Sequence, residues 1–186
     1  MNKINYLTLL RGINVGGNNL IKMDKLKNIF VEMGFAAVKT YIQSGNVMFM
    51  DYEKNKLKLM KKIKKALFEK SKMEINVLIL TLNEIKSILN NIPNKFGEEN
   101  TKYKYDIVFL IEPLSTKEVL EEIQKRKNGD EIYEGDKVFY IKRLVKKLTG
   151  SYLSNIMKTK MWQNITIRNF NTTRKLYELM LERECN

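Results

Sequence analysis

The order of apolar runs along this chain restricts its fold more than any other feature. Ile4 to Leu10 is a short apolar run of strand length. Met23, Leu26, Ile29, Phe30 and Met33 then recur at helical spacing, and Gly34 predicts where that helix stops. Val38 to Gln43 and Val47 to Met50 read as two strands joined by the tight turn Ser44-Gly45-Asn46. Leu57, Met60, Ile63, Lys64, Leu67 and Phe68 mark a long basic helix, and Ile75 to Leu80 a fourth strand. The order is βαββαβ, the ferredoxin-like unit.

The order then repeats. A helix with Leu82, Ile85, Leu89 and Ile92 on its inner side, capped by Thr81 or Asn83, ends at Pro93. The polar stretch Asn94 to Lys104, with Gly97, reads as a linker. Tyr105 to Ile111 is an apolar strand, and Ser115-Thr116-Lys117-Glu118 is a capping box opening a helix that Asn128-Gly129 closes. Glu131 to Tyr133 and Lys137 to Lys142 flank the turn Glu134-Gly135-Asp136. Ser151 to Met161 reads as a helix, Ile165 to Arg168 as a short strand, and about Thr172 to Glu184 as a final helix. The fold class expected is α+β: duplicated ferredoxin-like βαββαβ halves with antiparallel sheets, a linking helix and a C-terminal helix. The halves expected are residues 1–92 and 105–186. They share element order and no residue-level repeat.

Composition narrows the chemistry. The 186 residues contain no histidine, which removes His triads, His bases and His metal sites. Cys185 is the lone cysteine, so no internal disulfide forms, and a Cys nucleophile or zinc site is not expected. No metal is assigned, and the sequence names no cofactor. Any catalysis would have to use Lys, Arg, Asp, Glu, Tyr, Ser, Thr, backbone dipoles or bound Mg²⁺; no reaction is assigned. The first apolar run ends at Arg11 without a secretory leader pattern. No stretch is long and apolar enough to cross a membrane. A cytoplasmic location is expected.

The formal net charge is +13, which favours an anionic partner, nucleic acid or a small molecule. Of the 34 basic residues only Arg11, Arg126, Arg143, Arg168, Arg174 and Arg183 are arginines. Specific phosphate and base readers lean on Arg forks, so most of the lysines read as solvated surface. That includes Lys61, Lys62, Lys64 and Lys65 on the basic helix.

Three segments carry polar chemistry. The loop Arg11 to Asn19 leads from strand to helix, and its glycines let backbone N–H groups approach an anion. It matches neither the P-loop nor GxGxxG, and its bland reading is an irregular connection needing positive φ. The turn Tyr41 to Asn46 needs Gly45 and Asn46 for geometry, leaving Gln43, Ser44 and Tyr41 freer to face a ligand. In a βαββαβ unit the first and second strands run the same way, so this loop and this turn should be neighbours. Thr166 to Lys175 opens the last helix. Asn171, Thr172 or Thr173 can cap it, and Arg168 and Arg174 flank an anion-favouring N-terminus. Tyr103, Tyr105, Tyr133, Phe139 and Tyr140 could stack bases on an open sheet, although such residues are far more often core. The RNP1 pattern is missing from both halves.

Leu9-Leu10-Arg11-Gly12-Ile13-Asn14-Val15-Gly16-Gly17, Lys22-Met23 and Thr40-Tyr41-Ile42-Gln43-Ser44-Gly45-Asn46-Val47 closely resemble the signature of the bacterial domain of unknown function 1697 family. Thr166 to Thr172 with Lys175-Leu176 resembles its C-terminal motif, with Phe170 where the family more often has Trp. The resemblance implies a duplicated α+β fold and supplies no substrate, reaction or catalytic residue. It favours a shared site over three unrelated turns. The expected ligand-binding residues are Arg11, Asn14, Gly16, Gly17, Asn18, Gln43, Ser44, Asn46, Arg168, Asn169, Asn171 and Thr172. A nucleotide or other phosphorylated small molecule is the expected ligand. Nucleic acid bound through phosphates, or a protein partner, is the alternative.

Overall fold

The structure is a computed structural model that describes residues 2–14, 21–124, 130–147 and 156–183. The chain divides into two compact units. Unit 1 comprises Met1–Ile85 with Leu176–Asn186, and unit 2 comprises Lys86–Lys175.

Unit 1 begins with β1 (Ile4–Leu10), α1 (Met23–Glu32), β2 (Ala36–Tyr41), β3 (Asn46–Asp51), α2 (Lys56–Ser71) and β4 (Val77–Thr81). The sheet order is β2-β3-β1-β4, and every neighbouring pair is antiparallel. This is the ferredoxin-like order expected from the sequence. One face packs on α1 and α2 around Tyr6, Leu26, Phe30, Phe49, Ile63 and Leu67. Phe49 holds this core together, stacking on Tyr6 at 5.4 Å and meeting Phe35 at 4.2 Å. Asn5, Leu7, Leu9 and Met48 on the opposite face are buried as well. Burial on both faces explains why β1 reads as a continuous apolar run rather than an alternating one.

Local chemistry sets the ends. Gly34 takes φ +84 and its N–H donates to the Val31 carbonyl at 2.8 Å, closing α1 where expected. Asn55 caps α2 by accepting the Lys58 N–H at 3.1 Å. β2 starts two residues earlier than the pattern predicts, across a bulge between Ala36 and Lys39 with Ala37 at φ +48, and ends two residues earlier, where Ile42 takes φ +46.

The helix α3 (Leu82–Asn90) follows β4 directly. Thr81 caps it in a capping box: Glu84 accepts from the Thr81 N–H at 2.8 Å, while Thr81 Oγ1 accepts the Glu84 N–H at 3.3 Å. Unit 2 continues with β5 (Tyr103–Leu110), α4 (Thr116–Gln124), β6 (Glu131–Gly135), β7 (Val138–Leu144), β8 (Ile165–Asn169) and α5 (Phe170–Leu181), whose last residues belong to unit 1. The sheet order β6-β7-β5-β8 repeats that of unit 1. The Ser115–Glu118 capping box forms as the sequence predicts, with Glu118 accepting the Ser115 N–H at 2.8 Å. The stretch between α3 and β5, read as a linker, is anchored by Phe96, which is buried and meets Tyr105 at 4.9 Å and Phe170 at 5.3 Å. Ser151–Asn155, about half of one expected helix, and the Asn128-Gly129 stop lie outside the described residues. Near the end of that expected helix the chain forms a 3₁₀ turn over Lys160–Asn164. No helix among the described residues is long and apolar enough to cross a membrane.

Candidate functional site

Strand direction gathers the polar segments of unit 1. β1 and β2 are both antiparallel to β3, so they point the same way. β4 is antiparallel to β1 and opens opposite the end of β1, with Leu10 facing Val77. One end of the sheet therefore receives the chain after β1, the β2–β3 turn and the residues before β4. Backbone bonds tie the three together. The Leu10 N–H donates to the Gly45 carbonyl at 2.8 Å, and the Arg11 N–H donates to the Asn76 carbonyl at 2.9 Å.

Asn14 fastens the loop to the turn. It sits at φ +55, and its Nδ2 donates to the carbonyls of Gln43 and Ile21, each at 3.0 Å. Its Oδ1 accepts the Ile21 N–H at 2.8 Å. The amide expected to orient a ligand is thus used on both its atoms to shape the loop. Asn46 behaves alike: it is fully buried, and Nδ2 donates to the Tyr41 carbonyl at 3.0 Å and to Ser44 Oγ at 2.8 Å. Ile13 is buried beneath the turn. Gln43 is exposed, while Ser44 and Arg11 are half-buried. Burial lowers the pKa of the Arg11 guanidinium. Gly16, Gly17 and Asn18 lie outside the described residues.

Two residues stand at this end to which sequence reasoning gave no site role, Lys64, read as solvated surface, and Asn76. Lys64 Nζ donates to Asn76 Oδ1 at 2.9 Å, and Asn76 is the residue whose carbonyl holds the Arg11 N–H. The antiparallel pairing of β4 with β1 was the available clue, since it brings the start of β4 beside the end of β1.

The C-terminal motif belongs to unit 2. Arg168 lies on β8 with only 7% of its surface exposed. Its Nη1 donates to Thr166 Oγ1 at 3.0 Å and to the Ile167 carbonyl at 2.8 Å. Burial pulls its pKa down to about 10, which still leaves it cationic at neutral pH. Asn169, rather than Asn171, Thr172 or Thr173, caps α5. Its Oδ1 accepts the Asn171 N–H at 3.0 Å while its Nδ2 donates to the Tyr105 carbonyl at 3.0 Å. Asn171 is exposed and Thr172 half-buried in the first turn. Arg11, Asn14, Gln43, Ser44 and Asn46 are thus gathered in unit 1, and Arg168, Asn169, Asn171 and Thr172 in unit 2.

Tyr105, Phe139 and Tyr140 are buried, so they offer no open platform for bases. Among the described residues no group of three or more His, Cys, Asp or Glu is placed to hold a metal ion.

Unit 2 supplies an internal reference for the polar end of unit 1. There the Leu110 N–H donates to the Lys137 carbonyl at 3.1 Å and the Ile111 N–H to the Asn164 carbonyl at 2.8 Å. The same two bonds close both units, so Ile111 stands where Arg11 stands and Lys137 where Gly45 stands. The chain then needs only Ile111 to Ser115 to reach α4, against Arg11 to Lys22 before α1. At this end of unit 2, Glu112 and Lys137 pair with each other at 2.9 Å. The fold alone therefore requires neither the long glycine-bearing loop nor its arginine.

The profile of the family described as "Protein of unknown function (DUF1697)" matches residues 3–140. Among solved structures the chain resembles that of conserved bacterial protein SP0830 from Streptococcus pneumoniae, with a TM-score of 0.84 and 24% sequence identity over 96% of this chain and 99% of that one. That likeness concerns the fold. No curated protein matches the chain.

Proposed function

The chain belongs to the DUF1697 family, and from that premise, which carries a fold and no activity, we propose that it binds a phosphorylated small molecule, nucleotides included, at the polar end of unit 1. Arg11 pairs with the phosphoryl group there, Gln43 and Ser44 contact the rest of the ligand, and Asn14 and Asn46 hold loop and turn in place. The observation that carries the reading is the bonding of the loop that bears Arg11 to the Gln43–Asn46 turn, through Leu10 and Asn14, at one sheet end, in a loop that unit 2 replaces with a short connection. A half-desolvated guanidinium favours an anion more than one in open water does. A cytoplasmic location fits, since the single cysteine asks for no oxidising compartment.

The test is thermal unfolding with inorganic phosphate, AMP and glucose 6-phosphate. At a hundredfold excess over Kd the expected rise in Tm is about 5–10 °C. Arg11→Ala should weaken binding at least about tenfold, as expected for loss of a charge-assisted hydrogen bond. No rise with any of these ligands would overturn the reading.

One observation favours a second reading, nucleic-acid binding: Lys61, Lys62, Lys64 and Lys65 are all exposed along α2. Affinity for an oligonucleotide that falls steeply with salt and ignores Arg11→Ala would favour it.

A further inference from the structure

We propose that Lys64 is the second cation of this site, and that the ligand it selects carries a doubly charged phosphate monoester rather than a carboxylate; the inference rests on the anion reading above. Lys64 reaches the site from α2, a different element from Arg11. Its ammonium donates to Asn76 Oδ1 at 2.9 Å, and the carbonyl of the same residue accepts the Arg11 N–H at 2.9 Å. Asn76 thus holds the Lys64 ammonium through its side chain and the Arg11 backbone through its carbonyl, where β4 opens against the end of β1.

Of the six other lysines of α2, four pair with a carboxylate, while Lys61 and Lys62, like Lys64, pair with none among the described residues. Lys56 pairs with Glu84, Lys58 with Glu53 at 2.6 Å, Lys65 with Glu69 at 3.9 Å, and Lys70 with Glu32 at 2.8 Å. Lys62 donates to the Met33 carbonyl and lies over the Phe35 ring, on the other side of the helix's buried stripe. Among the described residues no carboxylate pairs with Lys64, and its partner is a neutral amide oxygen that leaves two ammonium protons for another acceptor. A carboxylate is matched by one cation. A phosphate monoester carries about −1.5 to −2 at neutral pH and offers three acceptor oxygens, which suits a guanidinium and an ammonium together.

Isothermal titration with AMP, inorganic phosphate and acetate tests this on the wild-type chain and on Lys64→Ala, Lys64→Arg, Lys61→Ala and Arg11→Ala. The expected result is phosphate and AMP binding that weakens about tenfold in Lys64→Ala, the loss of one charge-assisted contact. Lys61→Ala should stay within about threefold of wild type, and Lys64→Arg should bind more tightly than Lys64→Ala because it keeps the charge. Lowering the pH from 7.5 to 5 turns the phosphate into a monoanion, and should weaken the wild type more than Lys64→Ala. Binding lost in Arg11→Ala and unchanged in Lys64→Ala would overturn the role of Lys64 and leave the anion site standing. Acetate bound as tightly as phosphate would overturn the ligand class. No binding by the wild-type chain would overturn both this inference and the anion reading.

Discussion

A Cβ at position 45 would lie 2.7 Å from Ile13 Cγ1 and 2.9 Å from Leu10 Cβ, on a backbone already at φ +73. Glycine is therefore needed twice over, for the turn and for the close approach of loop to turn. Gly45→Ala should cost about 2 kcal/mol in urea unfolding, from overpacking and left-handed strain together. The neighbouring Ile42 shows the reverse. It takes φ +46 with 48% of its surface exposed, a poor conformation for a β-branched residue. Ile42→Gly should stabilise the protein by about 0.5–1 kcal/mol, because the strain relieved outweighs the small area uncovered; a lower urea midpoint would contradict this. Tyr140 is buried and its hydroxyl donates to the Ile88 carbonyl at 2.7 Å, and burial pushes its pKa up to about 12. A phenol pKa raised on folding stabilises fully below the ordinary value near 10 and loses that contribution as pH rises through about 12. Urea midpoints should thus fall over that alkaline window in the wild type and fall less in Tyr140→Phe. Residue identity made the polar segments visible in the sequence, but not their use. An asparagine that shapes a loop and one that binds a ligand are the same letter, and only the bonds from Asn14 to Ile21 and Gln43 separate them.

At the scale of elements, the Ser115–Glu118 capping box was legible because it needs only a hydroxyl and a carboxylate three residues apart, while for α3 the sequence left the cap between Thr81 and Asn83. Thr81→Ala should cost about 1 kcal/mol by removing the α3 cap. In α4 the side-chain and backbone hydrogen bonds from Ser115 hold the Glu118 carboxyl below its usual pKa. A carboxyl pKa lowered on folding stabilises above the ordinary carboxylate range and loses that contribution as pH falls through the lowered value. The Glu118 carboxyl carbon should therefore titrate by NMR below the usual range, and Ser115→Ala should return its midpoint toward the ordinary value. An unchanged midpoint would mean the bond is absent in solution. Two starts were misread for different reasons, one a backbone event with no sequence signature and one a capping side chain given another role. The bulge at Ala37 advances β2, and the side chain of Asn169, read as a ligand group, starts α5 two residues early.

At the scale of the molecule, the duplication was legible as order and hidden as sequence. Hydrophobic period fixes which element comes next, whereas the residues filling each place have diverged: Arg11 and Ile111 occupy the same position in the two units, as do Gly45 and Lys137. That divergence makes the halves unequal. Unit 2 closes this end with a short connection and the Glu112–Lys137 pair, so one ligand per chain is expected by titration, and two equal sites would contradict this. The most direct test of the phosphoryl site is an amide chemical-shift map of the labelled protein titrated with AMP. Shifts should concentrate at Arg11 to Asn14, Gln43 to Asn46 and Asn76, and should vanish in Arg11→Ala. Shifts centred on unit 2, or none at saturating AMP, phosphate and glucose 6-phosphate, would leave the site without support and overturn it.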